Sequence, residues 1–349
     1  MALLAALKAF QAKGRKLPVN LVLVAEGEEE IASTNLPNVV ANPEVAAALK
    51  KTVGIIGASA LQNAEGLAGI SLGAKGAVEF QLIVGGETSD RYPKADVHSS
   101  QYAHIESPAW RLVKALDTLV ADDGHTPAIE GWFEHVQPLT ARQKQIIADG
   151  LKGSNEADAK AAVGVGHWIN DEDYQTTNER LAGQPTVNIQ GLVSGYTGPG
   201  GKTVLPSRAE AKLEFRLVPD MTRAEAEAKL KAHLARRGFT DVKVVVSGGY
   251  GPNQTDENAA LVVAQKRTLE KAGIPYRLIV RNAGSWPGAI FNGAPLGLPT
   301  GQFGLGRGNG AHAPNEWFLI RSSNPKVAGI DEASLAFIDL LYEVAATAK

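Results

Sequence analysis

Apolar and polar positions along the chain follow two regimes. Residues 19–25 form a short apolar run, broken only by Asn20, with the length and branched-residue content of a buried strand. Residues 42–51 predict a short helix, with Asn42 as its cap and Pro43 at its first position, where a missing N–H costs nothing. Residues 52–57 predict another short apolar strand, and this alternation of strand and helix marks an α/β layer. At Gly76 the pattern changes. Residues 77–84 alternate with period two, which predicts a half-exposed strand of an antiparallel sheet. Residues 107–119 predict a helix with Trp110, Leu112, Val113, Leu116 and Leu119 on one side. Further helices are expected over 140–150 and 156–163. A second alternating strand covers 212–217, a charged amphipathic helix 222–237, and another strand 243–246. This order predicts a small two-layer α+β module over 76–249, inserted into an α/β domain made of 1–75 and 250–349. In the latter part, residues 257–273 predict a helix, 278–280 a strand, and 330–346 a closing helix.

Composition narrows the class. The 349 residues are long enough for one large or two medium domains. A hydrophobic fraction of 44% with 21% charged residues is that of an ordinary globular protein. The formal charge of -2 gives no general attraction for nucleic acid or for an anionic membrane. No apolar run is long enough to span a bilayer, so no membrane partner is expected. The first ten residues read as an amphipathic helix that runs on into a basic segment without a cleavage site. Absence of cysteine excludes disulfides and thiolate ligands, and fits a reducing, cytoplasmic compartment. Any metal would have to take His, carboxylate and water.

Two clusters carry candidate chemistry. Glu26-Gly27-Glu28-Glu29-Glu30 directly follows the apolar run at 19–25. Consecutive carboxylates there need a compensating positive charge. On an extended backbone Glu29 and Glu30 point in different directions, so one could bind a cation while the other handles a proton on a metal-bound water. The same cluster also reads as a solvated acidic turn. Near the other end, Gly304-Leu305-Gly306-Arg307-Gly308-Asn309-Gly310-Ala311-His312 places one imidazole in a glycine-rich loop, with Glu316 four residues on. A neutral imidazole in such a loop is a common zinc ligand. Two nucleotide-loop lookalikes, at 195–203 and 304–310, fail on glycine spacing or on the element that follows.

Together these clusters resemble the zinc exopeptidases related to carnosinase, glutamate carboxypeptidase, aminoacylase and succinyl-diaminopimelate desuccinylase. Segments at 72–76, 96–100, 185–191, 215–219 and 281–285 agree with that family in order, so the resemblance covers nearly the whole chain. It implies an α/β catalytic domain of three layers, incomplete here, with an inserted lid that also forms a homodimer. It further implies Glu29 as general base, and Glu30 and His312 as ligands of zinc or another divalent metal. His98 would be an oxyanion donor reaching across the dimer. Arg281 would bind a substrate carboxylate, with Asn188, Gly284 and Ser285 lining the pocket. The family also places a His-x-Asp segment and a bridging Asp upstream of the Glu-Glu pair, and residues 1–28 carry neither. Another expected ligand falls near 57–59, where no carboxylate stands and Glu65 is the nearest substitute. The chain therefore reads as a truncated relative holding one metal or none. Its expected function is hydrolysis of amide bonds in a peptide or N-acyl amino acid, with reduced or altered activity. The alternatives are an ester or lactone hydrolase, a non-catalytic relative, or a chain complemented by a second polypeptide. Loss of upstream strands predicts a sheet edge covered by a dimer partner or a rearranged helix. His104, His125, His135, His167 and His233 match no segment and read as surface residues.

Overall fold

A computed structural model of the chain describes residues 1–310 and 313–347. The chain divides into two compact units. The first comprises Met1–Ala74, Leu139–Gly183 and Asn253–Lys349, and the second Lys75–Pro138 and Gln184–Pro252.

The first unit is α/β. Strand Ile55–Ala58 pairs in parallel with Thr300–Phe303, and Ala68–Ser71 in parallel with Tyr276–Ile279. Parallel pairing needs long crossovers, which here run through helices such as Ala260–Lys271. Helices Ala2–Ala12, Ala260–Lys271 and Ile330–Thr347 pack against one another and close the core over Ile70, Leu72, Val262, Phe303 and Phe337. Helix Pro43–Leu49 starts as its sequence dictates, with the Asn42 Oδ1 accepting the Glu44 N–H at 3.0 Å.

Residues 19–25 depart from expectation, because no described strand pairs with them. Leu21, Val22 and Leu23 are 40%, 38% and 64% exposed, while Val24 packs partly against the small core cluster that includes Leu36, Leu49 and Phe291. A buried parallel strand is completed by neighbours remote in sequence, so a local apolar run can predict the strand without guaranteeing its ladder.

The second unit is α+β. Its antiparallel sheet has the order Thr186–Ser194, Arg208–Leu217, Gly76–Gly85, Lys243–Tyr250. The register sets Phe80 opposite Leu213 and Leu82 opposite Ala211. These side chains form one apolar face, against which helix Pro108–Asp117 packs, while Arg223–Arg236 packs along Lys243–Tyr250. The Phe80 and Phe215 rings lie 4.8 Å apart, and Trp132 meets Phe215 edge-on at 5.1 Å. Strand Gly76–Gly85 is central and therefore almost wholly buried, with Glu79 its one exposed residue, rather than half-exposed. Helix Pro108–Asp117, capped by Ser107, buries Leu112, Ala115 and Leu116, but leaves Trp110 58% and Val113 41% exposed. Trp110 is on the opposite side of the helix from Leu112 and Leu116, so the expected grouping was too wide.

The insert is also not continuous over 76–249. Helices Ala141–Leu151, Glu156–Val163 and Tyr174–Gly183 fall in the first unit. Arg142 anchors them there, through Nε and Nη2 on the Glu257 carboxylate at 2.6 and 2.7 Å. Amphipathic helices look alike in either domain, and only these remote partners assign them.

His233, expected at the surface, is fully buried in the second unit. Its Nδ1 meets the Glu130 carboxylate and its Nε2 lies 2.9 Å from the Thr118 hydroxyl. At Glu130, burial pushes the carboxyl up, but its backbone hydrogen bond, His233 and Arg236 outweigh this and bring it from 4.5 down to about 2. A depressed folded pKa gives stability that is present above the unfolded value and lost as pH falls through the folded one. Thermal unfolding of this unit should therefore move to lower temperature as pH drops from 4.5 towards about 2. Glu130→Gln should flatten that dependence and lower the melting temperature at neutral pH, as read by circular dichroism.

Candidate functional site

The acidic segment of the first unit is a turn, not the end of an extended strand. Glu29–Ile31 is a single turn of 3-10 helix, ended by Ala32 and Ser33 at φ 69° and 48°. Two flanking carboxylates build it. Glu26 accepts the hydroxyl of the buried Ser33 at 2.6 Å. Glu28 accepts the Asn35 backbone N–H at 2.9 Å and its Nδ2 at 2.8 Å. Glu26 and Glu28 are thus scaffolding, and the turn presents Glu29 and Glu30 at the surface. The sequence separates these roles poorly, because the partners Ser33 and Asn35 become visible only once the turn is closed.

The glycine-rich segment near the other end is positioned by Gln62, a residue the motifs do not single out. Gln62 is 6% exposed and uses its whole amide. Its Nε2 donates to the Gly66 and Lys326 carbonyls, each at 3.0 Å, and its Oε1 accepts Gly306 N–H at 3.0 Å and Ala328 N–H at 2.9 Å. One side chain therefore joins the 62–66 turn to both flanks of the loop that leads to His312. Gly304 is required there, since a Cβ would overlap the Ser59 carbonyl oxygen. His312 itself lies outside the described residues. Glu65 is exposed on the 62–66 turn, where its N–H is held by Asn63 Oδ1 at 3.1 Å. Among the described residues no three His, Cys, Asp or Glu side chains converge as a metal-binding group, so Glu30 and Glu65 do not form one with a third described residue.

Arg281 is buried at 9% exposure. Its Nη2 and Nε reach Gln254 Oε1 at 3.0 and 3.3 Å, and its Nη1 donates to the Ala182 carbonyl. Gln254 in turn donates to the Leu72 carbonyl at 2.9 Å. The following Gly284 is exposed and Ser285 half-buried, and Trp286 is fixed by an Nε1 bond to Asn253 Oδ1 at 3.1 Å. Beside Arg281 opens a cavity of about 250 Å³, walled by Ile146, Leu151, Leu181 and Leu278, with Arg277 on its lining.

His98 and Asn188 belong to the second unit. Asn188 is exposed on the edge strand Thr186–Ser194, opposite Glu214. His98 ends the short strand Val97–His98, which pairs with Val204–Leu205. Asp96, just before it, accepts the Ser207 N–H at 2.8 Å and hydroxyl at 2.9 Å, and these bonds hold its carboxyl below the usual carboxylate range.

Comparison with known proteins gives one family. The family model described as Peptidase family M20/M25/M40 matches residues 1–332. A Cys-Gly metallodipeptidase of Candida albicans is 27% identical over 319 residues, covering 89% of this chain and 63% of the relative. A Beta-Ala-His dipeptidase of Rattus norvegicus is 25% identical over 329 residues, covering 91% of this chain and 65% of the relative. The chain thus spans somewhat less than two thirds of the length of these curated relatives. Among solved structures, an M20 family metallo-carboxypeptidase from Sulfolobus solfataricus is 30% identical with a TM-score of 0.82, covering 99% of this chain and 74% of that one. Human carnosine dipeptidase 1 shares the fold at a TM-score of 0.73 and 23% identity, covering 99% of this chain and 71% of that one. The chain belongs to peptidase family M20/M25/M40, with the family's α/β fold and inserted lid domain.

Replacing Gln62 by Ala would strand one buried carbonyl, one part-buried carbonyl and two buried N–H groups. Each lost pairing costs roughly 1–3 kcal/mol where water cannot replace it. Urea denaturation should report a loss of about 3 kcal/mol or more for the first unit, against less than about 1 kcal/mol for Asn63→Ala on the exposed side of the turn.

Proposed function

We propose, taking membership of peptidase family M20/M25/M40 as the premise, that the chain takes part in metal-dependent hydrolysis of short peptides with a free carboxylate. The observation that carries this reading is the Glu28–Ser33 turn, where two carboxylates serve as scaffold so that Glu29 and Glu30 face outward.

The donor types at the motif positions, a carboxylate from Glu30 and an imidazole from His312, are those that zinc takes, with Glu65 or water completing the set. A bound divalent ion supplies Lewis-acid polarisation of the scissile carbonyl. Glu29 accepts a proton from the attacking water and returns it to the leaving amine. His98 donates a hydrogen bond to the developing oxyanion. Arg281 binds the substrate carboxylate, for which its planar fork is suited, by exchanging Gln254 for it. Asn188, Gly284 and Ser285 contribute to substrate binding. The edge strand Thr186–Ser194, with Ile189, Leu192 and Val193 each about half exposed, supports a homodimer formed through the second unit.

One observation favours a second reading. Arg281 already satisfies Gln254 and Ala182, as a structural clamp would. In that reading Arg281 is structural, the chain is a non-catalytic relative, and any activity belongs to an assembly with further polypeptide.

The test is a panel of dipeptides and N-acyl amino acids assayed with and without added zinc or manganese. Hydrolysis should require metal. Glu29→Gln should lower kcat by about 100-fold or more with KM little changed. Absence of metal-stimulated cleavage of any substrate, or a Glu29→Gln variant as active as the parent, contradicts the proposal.

A further inference from the structure

We propose that Ser100 is a positioning residue that fixes the His98 ring in its Nε2–H tautomer. The inference rests on the reading of His98 as an oxyanion donor and adds what makes that nitrogen a donor. His98 caps the 3-10 turn Ser99–Ala103 with its own ring. The Ser100 backbone N–H donates to His98 Nδ1 at 3.2 Å, and the Ser100 hydroxyl lies 2.9 Å from the same nitrogen.

A backbone amide can only donate, so Nδ1 must offer its lone pair. In a neutral imidazole the one ring proton then resides on Nε2. The hydroxyl can rotate to donate as well, so both Ser100 groups favour the same tautomer. No helical carbonyl competes for the Ser100 N–H, because the first turn of a helix leaves its amides without intrahelical acceptors. The backbone at these positions is held from both sides. Ser99 N–H donates to the Thr203 carbonyl at 3.2 Å, His98 pairs with Val204, and Asp96 holds Ser207. His98 is exposed, so its Nε2–H faces outward as a donor. The opposite tautomer would present a lone pair to a developing oxyanion and turn attraction into repulsion.

The test is tautomer assignment by long-range proton–nitrogen correlation on the chain labelled with nitrogen-15 histidine. It is run without metal at pH about 8.5, well above the ordinary imidazole range. The His98 signals are identified by their loss in His98→Gln. The parent should show a protonated Nε2 and an unprotonated Nδ1. Ser100→Pro, which removes both donors in a first turn where proline is tolerated, should shift the ring to a mixture of tautomers. Ser100→Thr should keep the parent pattern. A parent ring with the proton on Nδ1, or an even mixture, overturns the proposal. So does a folded Ser100→Pro protein with the parent pattern. In the peptide assay Ser100→Ala should lower kcat about fivefold at unchanged KM, with Thr restoring it. If His98→Gln hydrolyses peptides at the parental rate while the tautomer pattern is as expected, the oxyanion reading fails and the positioning of the ring stands.

Discussion

The buried amide of Gln62 is the interaction on which the candidate site of the first unit depends. The glycine-rich segment 304–310 is held by Leu305 in the core and by the pairing of Gly308–Asn309 with Trp317–Phe318. Gln62 ties that segment to the chain beyond it, by bonding Gly306 on one side and Lys326 and Ala328 on the other. All its hydrogen-bonding groups are used and three of the four bonds are buried, so partial loss of the set leaves costly orphans rather than a small loosening. The same principle builds the acidic turn, where Ser33 and Asn35 hold Glu26 and Glu28. It also holds His98, where Ser100 occupies one ring nitrogen.

Much of the fold was legible in the sequence. Helix starts at Asn42, Ser107, Thr140 and Thr222 follow from capping chemistry that is local, and the structure has each of them. The strands at 77–84 and 212–217 were legible as strands, and the second keeps its alternation of burial, whereas the central position of the first buries nearly all of it. What failed was non-local. The run at 19–25 has the composition of a core strand, yet its large apolar residues Leu21, Val22 and Leu23 are exposed, since nothing in those seven residues specifies a neighbour. The helices over 139–183 could not be assigned to a unit before Arg142 met Glu257. His233 gave no sign of burial, because the groups that accept it, Glu130 and Thr118, lie more than a hundred residues away.

The candidate site was legible as motifs and not as geometry. The acidic cluster singled out Glu29 and Glu30 by resemblance, and the structure adds that Glu26 and Glu28 scaffold the turn that presents them. Arg281 matched the family as a carboxylate binder, but its contacts with Gln254 and Ala182 have no signature in the motif. Gln62 escaped notice because a glutamine between an apolar strand and a turn has no pattern of its own. The family match extends over residues 1–332, whereas the curated relatives are longer than this chain. Shared ancestry therefore reaches the fold directly, and the chemistry only through the residues retained here.

The proposed reaction requires that this chain hold a divalent metal through Glu30 and His312. The most direct measurement is zinc content by elemental analysis after equilibration and exhaustive dialysis, with Glu30→Ala and His312→Ala alongside. The account predicts about one zinc per chain in the parent, the stoichiometry of a single site, and loss of it in both variants. A parent chain that retains no zinc, or variants that retain as much as the parent, would contradict it.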